Sequence, residues 1–385
     1  MSISKTDKEN SSIQHIDILD GIRGVAAIFV VLYHLIETYQ DSTIHIINHA
    51  YLAVDLFFIL SGFVVSYVYD QRLRTSLSIS SFFKRRLIRL QPMVVFATIL
   101  GATLYFFQSR LAFPLIEQTS WTMLILVAIM HIFFIPCTPQ NDIRGWNEMF
   151  CLNSPQWTLF FEYIANVIYG IILYKISNRT LWLITCIFAL CTLNLSLDIN
   201  IGNFYIDRNE LTYTVIGGWC CNNSDIFIGF SRLMFPFCCG ILIQRMNWKI
   251  SIQHSFAVIS CIIIGVFFTP KLPGILNGVF EAICILFVFP IVIMIGCGNN
   301  RKETKQHYLL IGRISYPLYI THFPFVYLQA SWVSHHLSAG PLGSIFITVT
   351  YFAIILAVAY LSYRYYERPV RKKLSIFFNH SASLS

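Results

Sequence analysis

The sequence predicts an all-α integral membrane protein, a bundle of about ten transmembrane helices plus one re-entrant or interfacial segment. Three observations carry that prediction. Apolar runs of about 20 residues, enough to cross a bilayer core, recur along nearly the whole 385-residue chain. The composition is 56% hydrophobic and only 12% charged. The formal net charge is +8, and its basic residues cluster beside the apolar runs, where they orient spans; no nucleic-acid partner is expected.

The expected spans, in order, are 17–38, 50–69, 91–109, 156–175, 180–198, 226–244, 251–269, 275–297, 314–333 and 343–363. Orientation follows from charge. Residues 71–89 carry Arg72, Arg74, Lys84, Arg85, Arg86 and Arg89 and no acid, which predicts a cytoplasmic segment. The stretch with Arg301, Lys302, Lys305 and Arg313 and the tail with Arg364, Arg368, Arg371, Lys372 and Lys373 are basic too. Both termini are then expected in the cytoplasm, which requires an even number of crossings. The run 121–136 is the shortest, contains His131 and ends at Pro136, so it is read as the segment that does not cross. Loops 110–155 and 199–225 then face outward.

A polar segment precedes the first span without a small-residue cleavage site, so that span is expected to be retained. No repeat or separate soluble domain is visible. A single membrane domain over 1–373 is expected, with 1–15 as a cytoplasmic tail and 374–385 as a short C-terminal tail. Among the eleven cysteines, Cys186, Cys191, Cys238, Cys239, Cys261 and Cys284 fall in spans, where cysteine acts as a small hydrophobe. The cysteines show no metal-ligand spacing, and no metal is expected. Cys137, Cys151, Cys220 and Cys221 fall in outward loops, where the redox compartment decides whether a disulfide forms.

Ionisable residues inside the spans mark the candidate site, because an apolar helix has no need of them. Arg23 and His34 stand eleven positions apart in LDGIRGVAAIFVVLYH. That is about three turns, so both lie on one stripe about 16 Å apart along the axis. Asp55, Glu162, Arg232 and Glu281 fall with His34 within about 10 Å of the outer boundary if the spans are ideal helices. Five such groups at one depth read either as a shared polar chamber or as a structural ion-pair network. In the chamber reading, His34 is a general base with Asp55 or Glu162 orienting its ring.

Arg85, Arg86 and Arg89 share helical spacing at the opposite face. Arginine forks fit phosphate oxygens, and a basic stretch beside a span also fits anionic lipid; the residues leave both open. Tyr319 and His322, in GRISYPLYITHFP, either line a passage or bond across helices. Ser61, in LSGF, is a candidate relay. A polytopic transporter or export protein is the rival to an enzyme, although neither inverted repeats nor broken midplane helices are evident.

These segments resemble the membrane-bound acyltransferase family 3, which O-acylates surface polysaccharides and related acceptors. The matching motifs run in order: LDGIRGVAAIFVVLYH, VDLFFILSGFVVS, FFKRRLIRLQP, SPQWTLFFEY, SRLMFPFCCG, RISYPLYITH and YYERPVRKK. They cover about residues 16 to 373. One departure is Trp157-Thr158-Leu159, where the family more often has Trp-Ser-Leu.

The resemblance implies transfer of an acyl group, acetyl most commonly, from cytoplasmic acyl-CoA to a hydroxyl of an envelope or exported glycan. It implies that Arg23 and His34 are required, that Arg85, Arg86 and Arg89 contribute to the donor site, and that Glu162 is the acidic position of its motif. Acyl-CoA is then a donor substrate and no tightly bound cofactor is expected. A bacterial cytoplasmic membrane is the implied setting, lipid surrounds the chain, and a further transfer step would involve a periplasmic or extracellular partner protein.

Overall fold

Several helices start where a short polar side chain takes over a backbone N–H that the first turn cannot satisfy. Ser78 accepts from the Ser81 N–H, Ser120 from Met123, Ser177 from Thr180 and Asn222 from Asp225. The computed structural model describes residues 5–39, 46–205, 208, 211–298, 306–336 and 340–381, with side chains except at 5–17, 306–307 and 379–381. Arg301, Lys302 and Lys305 of the expected basic loop lie outside the described residues, as do the side chains of the N-terminal tail.

The helices are α1 (Lys5–Glu37), α2 (Ala53–Thr75), α3 (Ile79–Tyr105), α4 (Trp121–Ile132), α5 (Gln156–Ile168), α6 (Asn178–Ser196), α7 (Asn223–Arg245) and α8 (Ser255–Phe268). They continue with α9 (Ile275–Ile283), α10 (Phe289–Cys297), α11 (Gln306–Thr321), α12 (Phe323–His335), α13 (Gly340–Ser362) and α14 (Arg368–Ser381). The described residues contain no strand, only an isolated bridge between Glu148 and Cys220.

Among the described residues, eight stretches are long and apolar enough to cross a membrane, with α9–α10 and α13–α14 each counted as one, so the chain is a helical integral membrane protein. The expected count of about ten is not confirmed. α8 has 14 residues and spans about 21 Å, short of the roughly 30 Å hydrocarbon core. The expected span 314–333 is broken between α11 and α12. α4, with 12 residues, is too short to cross unaided, in keeping with its reading as a non-crossing segment.

Proline explains the irregularities. Pro324 has no N–H to offer the Ile320 carbonyl, and its ring crowds that turn; Asn153 Nδ2 donates to the Ile320 oxygen instead at 2.8 Å. A wide turn over Cys284–Val288 precedes Pro290, and another over Tyr363–Glu367 precedes Pro369, so the helix continues through both prolines. The expected C-terminal tail is therefore helix through Ser381, an extension of the last span.

One end of the bundle carries the α2–α3 turn and the α7 terminus, where Asp70 pairs with Arg245 at 2.5 Å and with Arg74 at 3.3 Å; it is called the basic end here. The other, with the long connections 106–155 and 197–222, is the loop end. Two long contacts form the centre, α1 along α11 and α2 along α7. The second depends on glycine. A Cβ on Gly62 would collide with the Phe237 carbonyl, and one on Gly240 with the Ile59 carbonyl. Backbones this close leave no side chain to yield. Gly62→Ala is expected to cost at least the roughly 1–3 kcal/mol of an overpacked core, read as a lower thermal unfolding midpoint in detergent, while Gly265→Ala, in open space, leaves it near wild type.

At the loop end, Met149 N–H donates to Trp219 O and Cys137 N–H to Met149 O, both at 2.7 Å. Arg144 is fully buried with its guanidinium 3.7 Å from the Tyr327 ring centroid. Beside it Glu148 accepts from the Tyr327 hydroxyl. Burial pushes the Glu148 carboxyl from 4.5 up to about 7. A folded-state value above the unfolded one means that stability present below the unfolded value is lost as pH rises through about 7. Glu148→Gln is expected to flatten that fall, measured as unfolding midpoint between about pH 5 and about pH 8.

Candidate functional site

A cleft with about 830 Å³ of empty space is bounded by α1, α2, α3, α5 and α11. Asp20, Arg23, Arg86 and Arg89 line it with Ser61 and Glu162, and Tyr316, Tyr319, Phe57 and Val54 close it with apolar surface. Each polar group reaches it through helical periodicity. Asp20 and Arg23 are one turn apart on α1 and pair at 3.0 Å, and Arg23 Nε donates to Ser315 Oγ on α11 at 2.8 Å. Arg86 and Arg89 are likewise one turn apart on α3.

Glu162 is held from two sides. Arg86 donates to its Oε1 at 2.5 Å and Ser61 Oγ to the same oxygen at 2.8 Å. Arg86 is 4% exposed, whereas the Glu162 side chain keeps 19% exposure toward the cleft. Arg89 has no ion-pair partner among the described residues and lines the cleft, which leaves its fork available to an incoming anion. Arg85 is exposed and does not line the cleft.

His34 lies three turns beyond Arg23, on the loop-end side. Its Nδ1 is 3.2 Å from Glu37 Oε2. A carboxylate only accepts, so in the neutral imidazole this contact puts the proton on Nδ1 and leaves the Nε2 lone pair free. Tyr33 donates to the other Glu37 oxygen at 3.1 Å, which fixes the carboxylate in turn. The ring stacks on His322 at 5.5 Å and 24° and meets the edge of Phe323 at 5.0 Å.

His322 sits at the α11–α12 break, fully buried, its Nδ1 donating to the Tyr319 carbonyl at 2.7 Å and its Nε2 without a hydrogen-bond partner among the described residues. Tyr319 lines the cleft, shares a hydrogen bond with Thr158 Oγ1 at 3.1 Å, and has its ring 5.9 Å from His322. Tyr319, His322 and His34 thus form a continuous row from the cleft toward the loop end.

The single polar chamber expected from span depth is not what the structure forms. His34 with Glu37, and Glu162 with Arg86 and Ser61, form separate networks, while the Asp55–Arg232 pair and Glu281 are linked through Tyr51, whose carbonyl accepts from Arg232 and whose hydroxyl donates to Glu281. Asp55 pairs with Arg232 at 2.7 Å, both fully buried, and Arg232 also donates to the Tyr51 and Gly217 carbonyls. Glu281 accepts from Tyr51 Oη (2.5 Å), Val215 N–H (2.6 Å), Asn277 Nδ2 (2.6 Å) and Thr214 Oγ1 (2.8 Å), so it ties the 211–218 connection to α9.

Neither Asp55 nor Glu162 orients His34; Glu37 does. The sequence carried that signal as H-L-I-E, an i, i+3 pair on one helical face. In sequence alone Glu37 falls at the polar end of the span 17–38, where a carboxylate has a place without any partner.

Fold and site together define a polytopic membrane protein with an arginine-lined cleft and a carboxylate-held imidazole beyond it. A family profile described as an acyltransferase domain matches residues 16–364, and the chain belongs to this acyltransferase-3 family. The O-acetyltransferase OatA of Staphylococcus aureus is 24% identical over 373 residues, 92% of this chain and 57% of that protein. The chain therefore spans little more than half the length of that relative. Protein 2 in the picA locus of Rhizobium radiobacter is 35% identical over 162 residues, 40% of this chain and 80% of that protein. No solved structure matches the chain significantly.

Proposed function

We propose that this protein is an O-acyltransferase, moving an acyl group, acetyl in the simplest case, from cytoplasmic acyl-CoA to a hydroxyl of an envelope or exported glycan across a bacterial cytoplasmic membrane. The observation that carries the reading is the His34–Glu37 contact in line with the arginine-lined cleft. Arg89 and Arg23 would meet the donor's phosphates at the basic end, which the charge distribution assigns to the cytoplasm. The pantetheine arm would then run along Tyr319 and His322 toward His34.

In the transfer step the acceptor hydroxyl gives its proton to His34 Nε2 as its oxygen attacks the thioester carbonyl. The tetrahedral intermediate collapses with loss of the CoA thiolate, which takes up a proton. Glu37 stabilises the imidazolium in between, as the carboxylate behind the histidine base does in serine hydrolases. Transfer is direct in this scheme; recovery of a labelled acyl group on the protein in the absence of acceptor would replace it with an acyl-enzyme route. The similarity to OatA, an O-acetyltransferase by name, supports acetyl as the group transferred to an oxygen.

The test is to incubate the purified protein in lipid with radiolabelled acetyl-CoA and a glycan extract of its source cells. Labelled glycan from wild type, absent with His34→Ala, is the expected result. Arg89→Ala is expected to raise KM for acetyl-CoA by roughly tenfold, the worth of one charge-assisted hydrogen bond, with kcat little changed. A folded wild type that binds no acyl-CoA would overturn the reading.

A further inference from the structure

Three soft ligand side chains meet at the loop end, away from the cleft. His131 is in the last turn of α4, Cys137 follows the turn after it, and Cys151 lies in the connection entering α5. All three are buried, at 0%, 1% and 0% exposure. His131 Nε2 is 3.3 Å from Cys137 Sγ, the two sulfurs are 3.4 Å apart, and all three donor atoms lie within 4.8 Å of one another.

The distances are those of unbonded sulfurs, and they also suit ligation of a common metal ion. A sulfur–sulfur bond is about 2.05 Å long, and the pair stands well outside it. Two thiolates on one tetrahedral zinc, at Zn–S of about 2.3 Å, sit about 3.8 Å apart, and a thiolate and an imidazole nitrogen about 3.5 Å apart. Both observed separations are within a few tenths of an ångström of those values. A disulfide would also leave the buried imidazole without a role, whereas a metal uses all three groups.

The surroundings fit as well. Gln156 Nε2 donates to the His131 carbonyl at 2.6 Å, and Arg144 Nε donates to the Cys151 carbonyl. The backbone on both sides of the cluster is thus held.

We propose that His131, Cys137 and Cys151 form a binding site for a soft, closed-shell metal ion, Zn²⁺ or Cu⁺. Three donors complete a trigonal site for Cu⁺ and leave one position open on tetrahedral Zn²⁺. On binding, each cysteine releases its thiol proton and the imidazole coordinates through Nε2, so no oxidant or reductant is needed. The ion joins the end of α4 to the entry of α5, two residues before Asn153, whose amide holds the α11–α12 break at Ile320. A metal there steadies the segment that carries His322. The spacing 131, 137, 151 matches no common zinc pattern, which is why the sequence pointed to no metal.

The experiment is metal analysis of the full-length protein, purified in detergent without chelator and again after reduction and reconstitution with Zn²⁺ or Cu⁺. About one ion per chain is expected, falling roughly tenfold or more in Cys137→Ser/Cys151→Ser and unchanged in Cys186→Ser, an exposed cysteine elsewhere. Reconstitution of wild type with Co²⁺ should give thiolate-to-cobalt absorption in the near ultraviolet, a readout that does not depend on the double variant folding. Failure of wild type to retain any of these ions, equal occupancy in a monodisperse double variant, or a Cys137–Cys151 disulfide in the protein as isolated would each overturn the proposal.

Discussion

His34→Gln is expected to lower acyl transfer by roughly 10²–10⁴-fold, the range for losing a general base, while acetyl-CoA binding persists. The separation follows from the geometry. The cleft proposed for the donor is lined by Asp20, Arg23, Arg86 and Arg89 and does not include His34, so a substitution at His34 would remove the proposed proton acceptor and leave the lining of the cleft intact. Glu37→Gln should fall between wild type and His34→Gln. An amide can still accept from Nδ1, but it cannot stabilise the imidazolium that forms as the hydroxyl attacks. Single-turnover rates with labelled acetyl-CoA, beside equilibrium binding of unlabelled CoA, measure both quantities. Wild-type transfer in a folded His34→Gln protein would remove His34 from the chemistry.

The second large effect is on stability. Asp55→Ala is expected to destabilise the fold by about 3–5 kcal/mol, because it strands the Arg232 guanidinium without a counter-charge. Both side chains are inaccessible, at 0% and 2% exposure. Arg232 keeps its bonds to the Tyr51 and Gly217 carbonyls, but these are neutral acceptors. Combining Asp55→Ala with Arg232→Met should recover much of the loss, since a buried pair replaced by apolar groups is often neutral or better. Thermal unfolding of the single and double variants in detergent decides it. If Asp55→Ala folds with an unchanged midpoint and loses only transfer, Asp55 belongs to the chemistry and not to the frame.

Periodicity and depth made the helical class and most spans legible, because a membrane helix must satisfy its own backbone and face lipid with apolar side chains. The same reasoning failed where a helix is interrupted. Pro324 sits inside an unbroken apolar run, and only the Asn153 side chain, 167 residues away in sequence, shows that the run is two helices. Depth also misjudged the ionisable groups. It placed Asp55 and His34 at one level, but depth says nothing about which way a side chain points around its helix axis. Arg23, Arg86, Arg89 and Glu162 do share the cleft that their motifs imply, whereas Arg85, one position from Arg86, turns away from it.

The sequence by itself determined that this chain is a helical membrane protein, that one end is basic, and that Arg23 and His34 occupy one stripe of the first span. Those are properties of local spacing and composition, which do not depend on neighbours. Which carboxylate holds His34, which arginine remains unpaired in the cleft, and that His131 meets two cysteines were decided only by the tertiary structure. Each is a contact between side chains whose partners depend on helix rotation and on the path of the long loops. Those are settled by packing such as the Gly62 and Gly240 contacts between α2 and α7, not by any local pattern.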